Sequence, residues 1–295
     1  MQILETIGNT PMVNINGIHA KLEYLNPSGS IKDRIAKYIV DKAEQDGELK
    51  KGYTIVEATS GNTGIAFSLQ ASLRGYKMIA VMPRGLSKER TEIMKAYGTK
   101  IIHPKHNCFT CAIELTHKYD KKCYYLPRQF ENSWNVEENF RLLGKEILNE
   151  TKPDCFVAGV GTGGTVIGVG MALKKRKKTW IAALEPKECA LMAQYGIGKI
   201  HHLFNKKCKK HGIEGIGDGV VPDIIKRNRE LIDEVVTVDT KHAIEMARWL
   251  SKKGYFAGPS SGANMVAALR LKKRFKNVVT VLPDRGDRYL SEGIY

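Results

Sequence analysis

Three short segments of the 295-residue chain combine glycine, small polar residues and one lysine in patterns that can do chemistry. In NPSGSIKDR (residues 26–34), Ser30 and Asp33 read as a capping box, which puts Lys32 in the first turn of a helix. The partial positive charge of a helix N-terminus disfavours an ammonium and favours a neutral amine, the form that condenses with an aldehyde to a Schiff base. Taken alone, this segment fits an exposed surface lysine better.

EATSGNTG (residues 57–64) ends a strand pattern in a small polar turn and opens a helix. Ser60, Asn62 and Thr63, with the unpaired amides of the helix N-terminus, suit an anion such as an amino-acid carboxylate. A plain helix cap needs one such residue, whereas this turn supplies Thr59, Ser60, Asn62 and Thr63 around Gly61. GVGTGGT (residues 159–165) lies between an apolar strand and an apolar helix, where glycine lets backbone amides close on a phosphate. It also satisfies G-x-G-x-x-G, and Glu185 ends the next strand pattern about twenty residues on, the complete dinucleotide fingerprint. A nicotinamide oxidoreductase therefore competes on this segment, although it leaves Lys32 and the Asn62 turn without a task.

The elements that must position these segments alternate through the chain. Short β-branched runs at residues 19–25, 53–59, 77–82, 100–103, 123–126, 154–160, 180–185, 234–238 and 277–282 read as strands. Helical patterns at residues 32–45, 62–73, 87–97, 134–149, 166–174, 241–251 and 261–274 separate most of them. Such alternation predicts an α/β fold built on mainly parallel sheets. The least regular stretch, residues 190–223, contains HGIEGIGDGVVP, a loop placed over or beside a site.

Several classes fall away on composition. The start, MQILETIGNT, shows no basic segment followed by an apolar one, so the expectation is a cytoplasmic protein. The uncharged stretch 156–173 is long enough for a membrane span, but six glycines and two threonines make it a strand, a loop and a helix. Six irregularly spaced cysteines predict reduced thiols. Cys108-x-x-Cys111 has no second pair and opens an ordinary amphipathic helix, so neither zinc nor redox use is expected of it, and His201, His202, Cys208 and His211 fit no compact metal site. Lys and Arg exceed Asp and Glu by 16, yet the cations cluster at residues 174–178 and 206–210 without interleaved aromatics. Nucleic acid and membrane are therefore not expected partners.

Read together, the segments resemble the cysteine synthase family, pyridoxal-phosphate enzymes sharing the type II fold of tryptophan synthase β and cystathionine β-synthase. The likeness includes IGNTPMV (7–13), PSGSIKDR, TSGNTG, MPRGLSKER (82–90), QFEN (129–132), GVGTGG, EGIGDG, GPSSGA (258–263) and LPDRGDRYLS. It implies two parallel-sheet α/β domains with pyridoxal 5′-phosphate in the cleft: a smaller mobile domain, residues 26–132, and a larger phosphate-binding one, residues 1–25 plus 133–295. By similarity Lys32 carries the cofactor and then serves as base at the α-carbon, so that loss of the β-group gives an aminoacrylate. Asn62 matches the residue bonding the cofactor's phenolic oxygen. Thr59, Ser60, Gly61, Thr63 and Gln129 match the substrate-carboxylate site, and Gly161, Thr162, Gly163, Gly164 and Thr165 the phosphate cup. Ser260 matches the hydroxyl facing the pyridine nitrogen, which it cannot hold protonated as a carboxylate would; elimination is thereby favoured over transamination. The family resemblance also implies a homodimer.

Asp218 departs from the small uncharged residue that many family members carry. A carboxylate there repels a sulfide anion and can act as general base on water, which suggests release of hydrogen sulfide from cysteine to give serine. The biosynthetic direction, O-acetylserine plus sulfide to cysteine and acetate, is the alternative. A loop aspartate bonded to its own backbone explains Asp218 equally well.

Overall fold

The computed structural model describes residues 2–119, 122–200 and 208–295. The chain begins with a hairpin, β1 (Met12–Ile15) and β2 (Ile18–Lys21), turned at Asn16-Gly17, both with positive φ as such a tight turn requires. Helix α1 (Lys32–Gln45) leads into β3 (Thr54–Ala58), α2 (Asn62–Arg74), β4 (Lys77–Val81), α3 (Lys88–Ala96), β5 (Lys100–Ile102), α4 (Phe109–Thr116) and β6 (Tyr124–Tyr125). These four strands form a parallel sheet ordered β5-β4-β3-β6.

After α5 (Ser133–Glu138), a π turn and α6 (Gly144–Glu150), the chain continues through β7 (Cys155–Gly159), α7 (Gly164–Arg176), β8 (Trp180–Pro186), β9 (Lys199–Ile200) and α8 (Asp223–Arg227). It closes with β10 (Glu234–Val238), α9 (Thr240–Lys252), α10 (Pro259–Leu271) and β11 (Val278–Val281). The second sheet has seven strands in the order β1-β2-β11-β7-β8-β10-β9, parallel except for β1. Its central strands are apolar on both faces, as helix-covered parallel strands must be; all four residues of β11 are buried.

The stretch 156–173 is β7, a loop and α7, and among the described residues no helix is long and apolar enough to cross a membrane. Its glycines serve helix packing. A Cβ on Gly168 would lie 2.5 Å from the Asn139 Cβ, and one on Gly144 2.5 Å from the Ala172 Cβ, so α7 meets the π turn and α6 at a distance only glycine permits. That contact also splits the continuous helix expected over 134–149, where the chain passes through a π turn at Asn139–Leu143.

Two expectations need correction. Ser30 and Asp33 do not form a capping box: the Ser30 hydroxyl sits 3.3 Å from the Lys32 amide, while Asp33 accepts the backbone N–H of Ser28 at 2.6 Å and its hydroxyl. The start of α1 is held instead by the segment after β11, through the Ile31 amide to the Pro283 carbonyl at 2.8 Å and a bridge between Ser30 and Asp284. Nor are all six cysteines thiols. Cys108–Cys111 and Cys189–Cys208 are disulfides, leaving Cys123 and Cys155 free. Helix geometry joins the first pair and tertiary folding the second, and neither is visible in linear spacing. His201 and His202 lie outside the described residues.

The two sheets are tied together at α1. Arg34, buried, donates to Glu23 at 2.6 and 2.9 Å and to both oxygens of Glu146 on α6 at 2.7 Å. Removing one member of such a buried cluster strands the others' charge. Arg34→Met is expected to lower unfolding free energy by about 3–5 kcal/mol, measured by urea melts, because the fully buried Glu23 loses its counter-ion.

Candidate active site

One pocket lies at the C-terminal ends of β3, β7 and β11, where parallel strands hand over to loops and helix N-termini. Lys32, Asn62, Ser60, Thr63, Gln129, Gly161, Thr162, Gly163, Thr165, Asp218 and Ser260 all line it. The three segments singled out from sequence, 26 to 165 in the chain, therefore share one wall.

Lys32 keeps part of its surface open to this pocket, yet loss of water pulls its amine below the usual lysine range; the carboxylates of Asp218 and Asp284 oppose that shift. Asp218 answers in kind. Desolvation raises its carboxyl above the usual range, against the cations Lys32 and Arg90 and the imidazole of His211. Each group is shifted toward its neutral form, the amine downward and the carboxyl upward. The loop bearing Asp218 is braced by His211, whose Nε2 lies 2.9 Å from the Gly217 carbonyl while its Nδ1 takes the Ile213 amide at 3.3 Å.

The Thr59–Gly64 turn is less uniform than its sequence suggests. Thr59 turns away from the pocket and caps α2, accepting the amides of Gly61 and Gly64 at 2.9 Å each. Gly61 (φ 146°) lies against the Arg90 side chain, where a Cβ would stand 2.0 Å from its Cδ. Neither residue is among those lining the pocket. Thr63 donates to Gln129 Oε1 at 2.6 Å, and Gln129 Nε2 donates to the Ala58 carbonyl at 2.9 Å. Asn62 donates to Asp284 at 2.7 Å and accepts from Arg288.

The phosphate-cup segment has the shape its glycines imply. Gly163 is left-handed (φ 86°) at the N-cap of α7, and a Cβ on Gly161 would meet the Gly215 carbonyl at 2.5 Å. Gly164 is behind the wall, where a Cβ would lie 1.9 Å from Asn135 Oδ1. The free amides of a thirteen-residue helix and the hydroxyls of Thr162 and Thr165 fit a phosphate. With a buried amine on the same wall, the lining fits pyridoxal phosphate. Glu185 has no ribose-binding posture: its carboxylate accepts the amides of Leu191 and Met192 at 2.8 and 3.0 Å. Ser260 sits in the first turn of α10, after Pro259.

Sequence reasoning missed Arg90, Phe130 and Asn264 on the wall, and Asn135 behind it. Arg90 and Phe130 lay within quoted motifs, MPRGLSKER and QFEN, but had no partner in sequence to reveal a role. Asn135 donates to the Gln129 carbonyl at 2.8 Å and to Thr162 Oγ1 at 2.9 Å, joining the substrate turn to the phosphate loop. Asn264 takes the Gly159 amide at 2.9 Å and donates to the Val281 carbonyl at 2.8 Å, fixing the ends of β7 and β11.

The family model for pyridoxal-phosphate dependent enzymes matches residues 3–284. The chain belongs to this family. Among curated relatives it is 39% identical to a cysteine synthase of Staphylococcus aureus, over 99% of this chain and 96% of that one. Among solved structures it is 41% identical to a hydrogen sulfide-producing enzyme of Fusobacterium nucleatum, with a TM-score of 0.88, covering 98% of this chain and 90% of that one. A cysteine synthase of Entamoeba histolytica is 38% identical, with a TM-score of 0.89, covering 100% and 90%. The protein is thus a cysteine synthase-like, pyridoxal-phosphate-dependent enzyme, and the nicotinamide alternative is excluded.

Beneath the Gln129 loop, the buried carboxyl of Glu57 is pushed up to about 8 by desolvation, although the amides of Gln129 and Arg128 donate to it. A carboxyl raised in the folded state stabilises fully below its unfolded value and loses that contribution as pH rises toward the folded one. The melting temperature should therefore fall between about pH 5 and pH 8 on account of Glu57, and Glu57→Gln should flatten that fall in a pH series of thermal melts.

Proposed function

We propose that this enzyme converts L-cysteine and water to L-serine and hydrogen sulfide, with Asp218 as the base that activates water. The carrying observation is a carboxyl on the pocket wall, raised by burial and adjacent enough to Lys32 to be felt by it. A raised carboxyl on the site wall is matched to general-base work, and its charge disfavours entry of sulfide as nucleophile. Support comes from the Fusobacterium nucleatum hydrogen sulfide-producing enzyme, solved with an α-aminoacrylate intermediate as a variant in which one aspartate is asparagine.

When bound, pyridoxal phosphate supplies an electron sink for charge developing at the substrate α-carbon. In our reading Lys32 would hold the cofactor, and its amine would take the α-hydrogen; burial shifts that amine toward the neutral form. Ser60, Thr63 and Gln129, with the first amides of α2, receive the substrate carboxylate, and Thr59 and Gly61 shape that turn from behind. Asn62 would bond the phenolic oxygen of the cofactor. Residues 161–165 hold the phosphate. Ser260 meets the pyridine nitrogen at the positive end of α10, which opposes protonation there. Residues 26–132 act as the smaller domain, closing against residues 1–25 and 133–295. The homodimer rests on the family resemblance.

The biosynthetic direction, O-acetylserine plus sulfide to cysteine, is the second reading, and the names of the Staphylococcus aureus and Entamoeba histolytica relatives favour it. Product analysis separates the two. With cysteine as sole substrate, the enzyme should release serine and sulfide in equal amounts. Asp218→Asn should cut serine formation by about 100-fold while still releasing up to one sulfide per site. Unchanged serine output from Asp218→Asn would remove Asp218 as base, whereas an unaltered enzyme that forms no serine from cysteine but forms cysteine from O-acetylserine and sulfide would leave the biosynthetic reading. Lys32→Ala should lose the borohydride-sensitive visible band and turnover together, which tests the anchoring lysine by absorption spectroscopy.

A further inference from the structure

The motif left without a task is Cys108-Phe109-Thr110-Cys111, far along the chain from Lys32 but close to the pocket in space. Cys108 is the N-cap of α4, and its sulfur takes the place of the usual oxygen, accepting the Cys111 amide at 3.1 Å. The Thr110 hydroxyl lies 3.2 Å from the same sulfur. The two Cα atoms are 5.2 Å apart, the sulfurs are bonded, and both residues are partly exposed. Among the described residues no group of three or more His, Cys, Asp or Glu is arranged to hold a metal. Phe109 meets the Phe130 ring edge-on at 5.3 Å, and Phe130 lines the pocket beside Gln129.

We propose that Cys108–Cys111 is a thiol–disulfide exchange site for small thiols, the chemical class that includes cysteine and hydrosulfide. Exchange is fastest where the departing thiolate is stabilised and the other sulfur can be reached from solvent. Here a backbone N–H and the positive end of α4 are aimed at the Cys108 sulfur. An incoming thiolate bonds to the Cys111 sulfur, and the electron pair of the broken bond goes to Cys108, which leaves as the held thiolate. A second thiol attacks the mixed disulfide, releasing Cys111 and forming an external disulfide. The protein disulfide is thus reduced by two electrons, two thiols are oxidised, and their protons end on the two cysteines. The internal contrast is Cys189–Cys208, where Cys189 is buried at the end of a three-residue turn and, among the described residues, no backbone amide is seen to donate to its sulfur. Cys208 is exposed, so the sulfur an incoming thiolate can reach is that of Cys208, and attack there must release the thiolate of buried Cys189, which slows it. The exchange does not depend on the direction proposed for the main reaction.

The test uses the intact holoenzyme with Cys123 and Cys155 blocked beforehand. It is exposed to sodium sulfide, cysteine or dithiothreitol near neutral pH, quenched with acid, alkylated and mapped by mass spectrometry. Label is expected at Cys108 and Cys111 at least about ten-fold faster than at Cys189 and Cys208, and glutathione disulfide should reclose the first pair. In single variants, Cys108 in Cys111→Ser should alkylate about ten-fold faster than Cys111 in Cys108→Ser. Equal opening of the two disulfides, failure of the first to reclose, or equal alkylation in the two variants would overturn the proposal. Should a variant not fold, the comparison of the two disulfides in the unaltered enzyme still decides it.

Discussion

An amine stripped of water and faced by two carboxylates is the constraint on which the rest of this structure turns. Desolvation pushes Lys32 toward the neutral form, and Asp218 and Asp284 push it back. Burial is the larger effect, so the amine is available to condense and to accept a proton without leaving its place in the wall. Asp284 is itself occupied by Asn62 at 2.7 Å and Tyr289 at 2.6 Å, whereas among the described residues no hydrogen bond to the Asp218 carboxyl is seen. The two carboxylates are thus unequal: one is tied into the scaffold and one is left to titrate. The architecture around Lys32 preserves that inequality by stitching the start of α1 to Pro283 and Asp284, so the amine cannot drift away from its neighbours.

A second set of contacts turns three loops into one surface. Thr63 bonds Gln129, Gln129 bonds Ala58, and Asn135 bonds both the Gln129 backbone and Thr162. The substrate turn and the phosphate loop belong to different sheets, yet no step in this relay spans more than one side chain. Fully satisfied networks of this kind fix geometry because any displaced member leaves a buried polar group unpaired. Across the pocket mouth Arg90 stacks on Tyr289 at 4.6 Å and pairs with Glu214, while neighbouring Glu89 accepts from the amide and hydroxyl of Ser291 at 2.7 Å each. Helix α3 is thereby joined to the loop and C-terminal segment of the seven-stranded sheet. A motion that opens the cleft must break charged contacts at this edge, and closure must remake them.

Glycine does two different jobs here. In the loops it grants left-handed backbone and close approach, as at Gly163 and Gly161. In α7 it grants close packing of one helix on another, as Gly168 does against Asn139. The linear pattern GVGTGGTVIGVGMAL blends the two, which is why it resembles a membrane segment and a dinucleotide loop at once. Only the packing partners, α6 and the π turn on one side and the pocket on the other, separate the roles.

Most of the strands and helices were legible in the linear pattern, because buried parallel strands are continuous apolar runs and amphipathic helices repeat every three to four residues. That the lysine, the 57–64 turn and the glycine-rich loop share one pocket was legible too, since each is a contiguous motif with local chemistry. Short β1, β9 and α8 were not, because elements of two to five residues depend on neighbours for their hydrogen bonds. Tertiary structure alone decided which residues of a motif face the pocket: Thr59 and Gly61 turn behind it, while Arg90 and Phe130 come forward. It also decided what holds Lys32, since the expected local cap at Ser30 and Asp33 is replaced by a segment some 250 residues away. A sequence records spacing along the chain, whereas caps, disulfides and shifted acidities are set by distances across it.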